Sequence, residues 1–171
     1  MGLSRFIPNY YAKTVRDIDF ALLHERGIRC VALDIDNTLV ADGGIEIDAN
    51  TIAFFREQRD KKLIDTLIIA TNRSQKKIGG IAEAMHADMT FHAGGLRRKP
   101  FGSYYADLLK RTGCDANRTA MVGDKVIQDI WGGNHAGLTT VLVDPLGPSM
   151  WFERLLFRMI GVRGKHVEAD A

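Results

Sequence analysis

The chain has 171 residues, 46% of them hydrophobic and 26% charged, with a formal net charge of +2. That is ordinary globular composition, long enough to bury one sizeable core, and one domain spanning 1–171 is the default expectation. Lys, Arg, Asp and Glu interleave too evenly for bulk attraction to nucleic acid, so no nucleic-acid partner is expected and any anionic partner must be argued locally.

Val15 to Glu25 carries apolar residues at helical spacing and stops at Gly27. Ile28 to Asp34 is a short apolar run, Ile52 to Arg59 a helix, and Leu67 to Thr71 a second apolar run. Ser74 caps a helix from Gln75 to His86, weakened by Gly79 and Gly80. A weak strand at Met89 to His92 leads to Lys99-Pro100, with Pro100 in the first turn of a helix running to Arg111. Thr119 to Gly123 reads as a strand, Val126 to His135 as a helix ending at Gly137, and Thr139 to Val143 as the last strand. Short apolar strands alternating with helices predict a parallel sheet covered on both faces, a doubly wound, Rossmann-like α/β fold with its core over about residues 14–148.

The two cysteines, Cys30 and Cys114, show no metal-ligand spacing and are expected as reduced core residues. The first residues lack the apolar stretch of a signal peptide, no segment approaches a bilayer-spanning run, and Phe6 stands where a myristoylation signal wants Ser or Thr. The chain is therefore expected to be cytoplasmic, with peripheral membrane contact left open.

In doubly wound sheets, ligands bind beyond the carboxyl ends of the strands. This sequence places polar groups there repeatedly: Asp34 and Asp36, then Thr71 and Asn72, then Asp124. An isolated pair of aspartates in VALDIDNTL reads as a strand-capping turn. The ordered set that follows it changes that reading: a second apolar run ending in Thr71, Lys99 opening a helix, and GDKVIQD with Asp124 and Asp129.

These segments, DIDNT, IIATN, the lysine of RRKP and GDKVIQD, resemble the four motifs of the haloacid dehalogenase (HAD) superfamily, in order across roughly residues 28 to 143. The DxDNT form, the KP lysine and the glycines and asparagine at Gly132, Gly133, Asn134 and Gly137 resemble subfamily IIIA, and within it the phosphatidylglycerophosphate phosphatase-like branch. The resemblance implies a magnesium-dependent phosphate monoester hydrolase. Asp34 is then the nucleophile that becomes an aspartyl phosphate, and Asp36 the acid that protonates the leaving oxygen and afterwards deprotonates the attacking water. It further implies Mg2+ held by Asp34, the backbone carbonyl of Asp36, and Asp124, with Asp129 behind them orienting Lys99 or a metal-bound water. Thr71, Asn72 and Lys99 are expected on the phosphoryl oxygens, and Arg73, Arg97 and Arg98 as candidates for a positive rim. His135, near a helix C-terminus, suits the dipole there.

The chain departs from the branch in having Lys125 after the motif-four Asp and Gln128 before the last one, which bears on substrate rather than catalysis. The short spacings after Asp36 and between Thr71 and Lys99 leave no room for an inserted cap domain; Asp42, Gly43 and Gly44 form a small flap or a plain turn. The leading expectation is dephosphorylation of phosphatidylglycerophosphate to phosphatidylglycerol. The alternatives are a phosphatase of soluble sugar or nucleotide phosphates, with a neighbouring subunit of an oligomer as lid, and a non-catalytic phosphate-binding protein of the same fold. For an anionic lipid partner, the sequence offers an amphipathic helix at about 149–161, with Trp151, Phe152, Leu155, Leu156, Met159 and Ile160 on one side. Phe6, Ile7, Tyr10 and Tyr11 form a second candidate contact. Packing of the tail helix on the last strand is the competing reading.

Overall fold

The computed structural model describes residues 3–75, 78–92, 97–148, 155 and 165–166. Its strands are β1 (Tyr10–Ala12), β2 (Cys30–Leu33), β3 (Thr66–Thr71), β4 (Met89–His92), β5 (Thr119–Gly123), β6 (Thr139–Val143) and β7 (Lys165–His166). The α-helices are α1 (Phe20–Glu25), α2 (Ala49–Asp60), α3 (Gly79–Ala84), α4 (Gly102–Thr112) and α5 (Gly132–His135). The strands form one sheet in the order β4-β3-β2-β5-β6-β1-β7, and every pairing is parallel. This is the doubly wound α/β fold expected from the alternation.

Parallel strands buried on both faces need apolar residues at every position. In β2 all four residues are buried, and successive side chains go to opposite faces. Val31 and Leu33 join Leu67, Ile69, Val122 and Val141 in one core, closed by Phe20 and Leu23 of α1, Phe55 of α2 and Ile81 of α3. Cys30 and Ala32 join Ile68, Ala70 and Met121 in the other, closed by Tyr104, Tyr105 and Leu108 of α4. Each Leu, Ile or Val so buried contributes roughly 1.5–3 kcal/mol.

Several elements differ from expectation for local reasons. The helix expected over Val15 to Glu25 is a 3-10 turn, Val15–Asp17, followed by α1. Thr14 and Asp17 close a capping box on the first, and Asp19 accepts a hydrogen bond from the Leu22 N–H at 2.9 Å to start the second. Pro100 lies before α4 rather than in its first turn, and the Lys99-Pro100 peptide bond is cis. The Val126–His135 helix begins as a π-helical turn, Val126–Trp131, before α5. Gly27 and Gly137 carry the positive φ (92° and 80°) that helix stops require.

Cys30 and Cys114 were expected as reduced thiols; the structure instead pairs them as a disulfide, with Cα atoms 6.5 Å apart. Cys30 faces the α4 side of the sheet and Cys114 follows that helix, a proximity that two positions 84 residues apart do not reveal in sequence. The N-terminal aromatics, considered above for membrane contact, are used internally. Phe6 stacks on Trp131 at 6.1 Å, Tyr10 and Tyr11 lie in β1, and the Tyr11 hydroxyl donates to Asp144. No helix among the described residues is long and apolar enough to cross a membrane. The helix expected at about 149–161 lies, apart from the exposed Leu155, outside the described residues.

Candidate active site

The strand order reverses around β2: β3 and β4 lie to one side of it and β5 and β6 to the other. A crevice forms outside the carboxyl ends at such a switch point. Asp34 follows β2 directly and its N–H donates to the Val122 carbonyl of β5, so the ladder itself aims the carboxylate. Thr71 ends β3 and Asp124 follows β5.

After Asp34 the chain turns sharply. Asn37 takes a left-handed φ of 59°, which asparagine tolerates, and its side-chain oxygen accepts from the Asp42 N–H at 3.1 Å. A single bridge joins Asp36 to Val40. This turn sets the Asp36 carboxylate against Arg73. The Arg73 Nε–H reaches both Asp36 oxygens at 3.0 Å, an Nη2–H reaches Oδ1 at 2.5 Å, and an Nη1–H donates to the Gly44 carbonyl at 2.7 Å. One buried guanidinium therefore ties β3 to both Asp36 and the 41–44 turn. Burial alone would raise the Asp36 pKa, but the bond from Arg73, the Gly43 N–H and the arginine charge outweigh it and hold the carboxyl below its ordinary value.

Lys99 crosses the bottom of the site with its side chain wholly buried. Its ammonium donates to Asp34 Oδ1 at 2.7 Å, Asp129 Oδ1 at 2.6 Å and the Ala70 carbonyl at 3.0 Å, which occupies all three donors. Burial pushes this lysine toward neutrality, yet the Asp129 and Asp34 carboxylates win and hold its pKa well above the ordinary value. Two buried carboxylates share that one cation, and burial with this charge deficit raises the Asp129 pKa despite the pull of Lys99.

Four features surround and fix Lys99 and Asp129. Asn72 accepts from the Lys99 N–H at 2.8 Å and donates to the Lys99 carbonyl at 3.1 Å and to Gln128 Oε1 at 2.9 Å. Both amide donors of Asn72, expected on phosphoryl oxygens, are thus engaged in bracing the lysine. The Tyr104 hydroxyl lies between the carbonyls of Phe91 and Thr71, at 3.1 and 3.3 Å, and the Tyr105 hydroxyl donates to the Gln128 carbonyl. Gly123 lies so close to the Asp129 carboxylate that a Cβ there would overlap it. The π-helical turn lets Asp129 accept the Lys125 N–H at 3.1 Å while reaching Lys99. Lys125 itself lies 3.7 Å from Asp124, on the outer side of this cluster.

Asp34, Asp124 and Asp129 are all buried and offer one carboxylate oxygen each within 4.8 Å of one another. An all-oxygen anionic set suits a hard divalent cation such as magnesium, and among the described residues no histidine or cysteine joins it. Of the expected site residues, the structure gathers Asp34, Thr71, Asn72, Lys99, Asp124 and Asp129 at one edge, with Asp36 beside them on Arg73. Arg97 stands apart, 3.8 Å from Asp107, and His135 stacks on Trp131. Sequence reading missed the Arg73 clamp and the two tyrosines. The clamp had a signal, an arginine two residues past a strand-end threonine, but its partner lies 37 positions upstream.

Comparison with known proteins agrees with this geometry. The HAD-hydrolase-like family model matches residues 96–145, which hold Lys99, Asp124 and Asp129. The probable phosphatase YqeG of Bacillus subtilis is 25% identical over 147 residues, covering 86% of this chain and 82% of that protein. The phosphatidylglycerophosphate phosphatase 1 of Arabidopsis thaliana is 31% identical over 150 residues, covering 82% of this chain; the chain spans only 41% of that protein. Among solved structures, the 3-deoxy-D-manno-octulosonate 8-phosphate phosphatase of Moraxella catarrhalis, determined with magnesium and phosphate, aligns with a TM-score of 0.50. It is 18% identical and covers 70% of this chain and 71% of its own, a likeness of fold. Motif order, the carboxylate and lysine cluster at the switch point, and these relatives together place the chain in the haloacid dehalogenase superfamily, among its phosphoric monoester hydrolases.

Proposed function

We propose that the protein hydrolyses a phosphate monoester through an aspartyl phosphate on Asp34, with magnesium, and that its substrate is phosphatidylglycerophosphate. The observation that carries the mechanism is the buried Lys99 spanning Asp34 and Asp129 beside Asp124. Asp34 attacks phosphorus while the bond to the leaving oxygen breaks, and Asp36 gives that oxygen its proton. Water then attacks the phosphorylated Asp34, Asp36 takes the water's proton, and the phosphorus–Asp34 bond breaks to release inorganic phosphate.

Each remaining residue has a part in this scheme. Lys99 keeps Asp34 in place and faces the phosphoryl group with fixed positive charge, Thr71 offers a hydroxyl, and Asn72 sets the lysine's backbone. Asp129 holds the ammonium from behind. Asp34, Asp124 and the Asp36 carbonyl would hold magnesium, which offsets the charge of a dianionic group approaching several carboxylates. The lipid assignment draws on the Arabidopsis relative, whose name gives that substrate, and on the lack of a cap in the short turn between Asp36 and α2.

The test is release of inorganic phosphate from lipid and soluble monoesters with magnesium present. Phosphatidylglycerophosphate should be turned over best, and Asp34→Asn, with an unchanged circular-dichroism spectrum, should lose several orders of magnitude in rate. Turnover by a folded Asp34→Asn protein would refute the nucleophile. A clear preference for soluble sugar or nucleotide phosphates would refute the lipid.

A further inference from the structure

Two cavities open at the carboxyl edge of the sheet, and Asn72 lines both. The one of about 540 Å3 beside Asp36 is poor ground for an anion. Its wall carries the carboxylates of Asp36 and Asp42, and its cation, Arg73, is already committed to Asp36. The one of about 300 Å3 has the opposite character. Arg98, Lys99 and Lys125 line it with no carboxylate in the wall, while Pro100, Phe101 and Ile127 give it an apolar side.

Lys99 lines this second cavity while its ammonium bonds Asp34, the proposed nucleophile, so the cavity and the proposed site share this residue. Arg98, at the outer end, is exposed and has no ion pair among the described residues. Phe101 is 52% and Ile127 37% exposed, and both line this one cavity. Lys125 and Gln128, the two departures from the branch pattern, both lie in this wall. Arg98, with Lys125 behind it 3.7 Å from Asp124, sets positive charge next to apolar surface, which matches an anion joined to hydrocarbon.

We infer that this cavity is a subsite for a second anionic group of the substrate, a phosphodiester, which Arg98 and Lys125 recognise by charge while Phe101 and Ile127 take the adjoining hydrocarbon. The inference rests on the phosphatase reading and narrows its substrate class to phosphate monoesters whose alcohol carries a further phosphodiester. Both a lipid and its deacylated, water-soluble headgroup present that chemistry, and the apolar wall separates the two.

The experiment measures kcat and KM of the full chain with magnesium on three monoesters. These are p-nitrophenyl phosphate, which lacks the second anion, glycerophosphoglycerophosphate, which carries it without acyl chains, and phosphatidylglycerophosphate in mixed micelles. Arg98→Ala should raise KM about tenfold for both phosphodiester-bearing substrates and leave p-nitrophenyl phosphate within about twofold. Lys125→Gln should move the same two KM values upward. Phe101→Ser should raise KM for the acylated substrate alone. An Arg98→Ala enzyme whose three KM values are unchanged, or rise together, overturns the subsite. No turnover of any of the three by the wild type would sink the phosphatase reading itself, and the inference with it.

Discussion

Arg73 and Asp36 form a bidentate pair across 37 residues, with the arginine side chain 7% and the aspartate 20% exposed. The same guanidinium holds the Gly44 carbonyl, so it fixes the proposed acid and the turn above it together. Arg73→Ala should therefore lower kcat by about 10- to 100-fold through misplacement of Asp36. Arg73→Lys should restore little of it, because an ammonium cannot supply the planar fork. The pH profile gives a second readout. Burial raises the Asp36 pKa and Arg73 lowers it, so removing the arginine takes away that lowering and moves the limb of kcat/KM that reports Asp36 to higher pH. Unchanged kcat and profile in Arg73→Ala would show that the pair is only structural.

Lys99 sits between two buried carboxylates, and removing it leaves both uncompensated. Lys99→Met should destabilise the fold by about 3–5 kcal/mol and abolish turnover. The double change Lys99→Met with Asp129→Leu should regain much of the stability in urea melts and none of the activity. Recovery of activity in the double variant would remove Lys99 from the chemistry.

Magnesium should act on stability as well as rate. Chelation should stop turnover and magnesium restore it, while calcium, with longer bonds and looser geometry, should inhibit. Because binding to the folded state alone raises the melting temperature, magnesium should shift Tm of the wild type but not of Asp124→Ala. A magnesium shift that survives Asp124→Ala would place the ion elsewhere.

Away from the site, Asp48 caps α2, accepting the Thr51 N–H at 3.0 Å and the Thr51 hydroxyl at 2.5 Å. The Thr51 hydroxyl is the largest influence on its carboxyl and, against a smaller effect of burial, brings the pKa below 3.8. A folded-state pKa below the unfolded one means stability that is present above about pH 4 and lost as pH falls through the folded value. Asp48→Ala should cost about 1 kcal/mol at pH 7, with the gap from wild type shrinking toward pH 3. A gap independent of pH would point to packing instead of the charged cap.

Most of the sheet was legible because a buried parallel strand writes itself as a short apolar run: β4, β5 and β6 fall at the expected residues. β1 was missed since Tyr10–Ala12 is three residues long and carries no period of its own. Asp34, Lys99, Asp124 and Asp129 were legible as strand-end or helix-start polar residues in a fixed order. What periodicity does not encode is which distant groups a side chain meets. The Arg73–Asp36 pair, the Cys30–Cys114 pair and the bracing of Lys99 by Asn72 all depend on strands separated in sequence and adjacent in the sheet.

The pairing of β1 with β7 has a practical bearing on how the protein is handled. Tyr10 and Tyr11 lie opposite Lys165 and His166, so β7, from the far end of the described chain, covers the edge of β1 that β6 leaves open. A version cut before residue 165 would present β1 as a bare row of amides and carbonyls, a template for pairing with a second molecule. Shortening the tail to study lipid binding would thus create a sticky edge, and sedimentation of such a protein would report self-association as readily as attachment to vesicles.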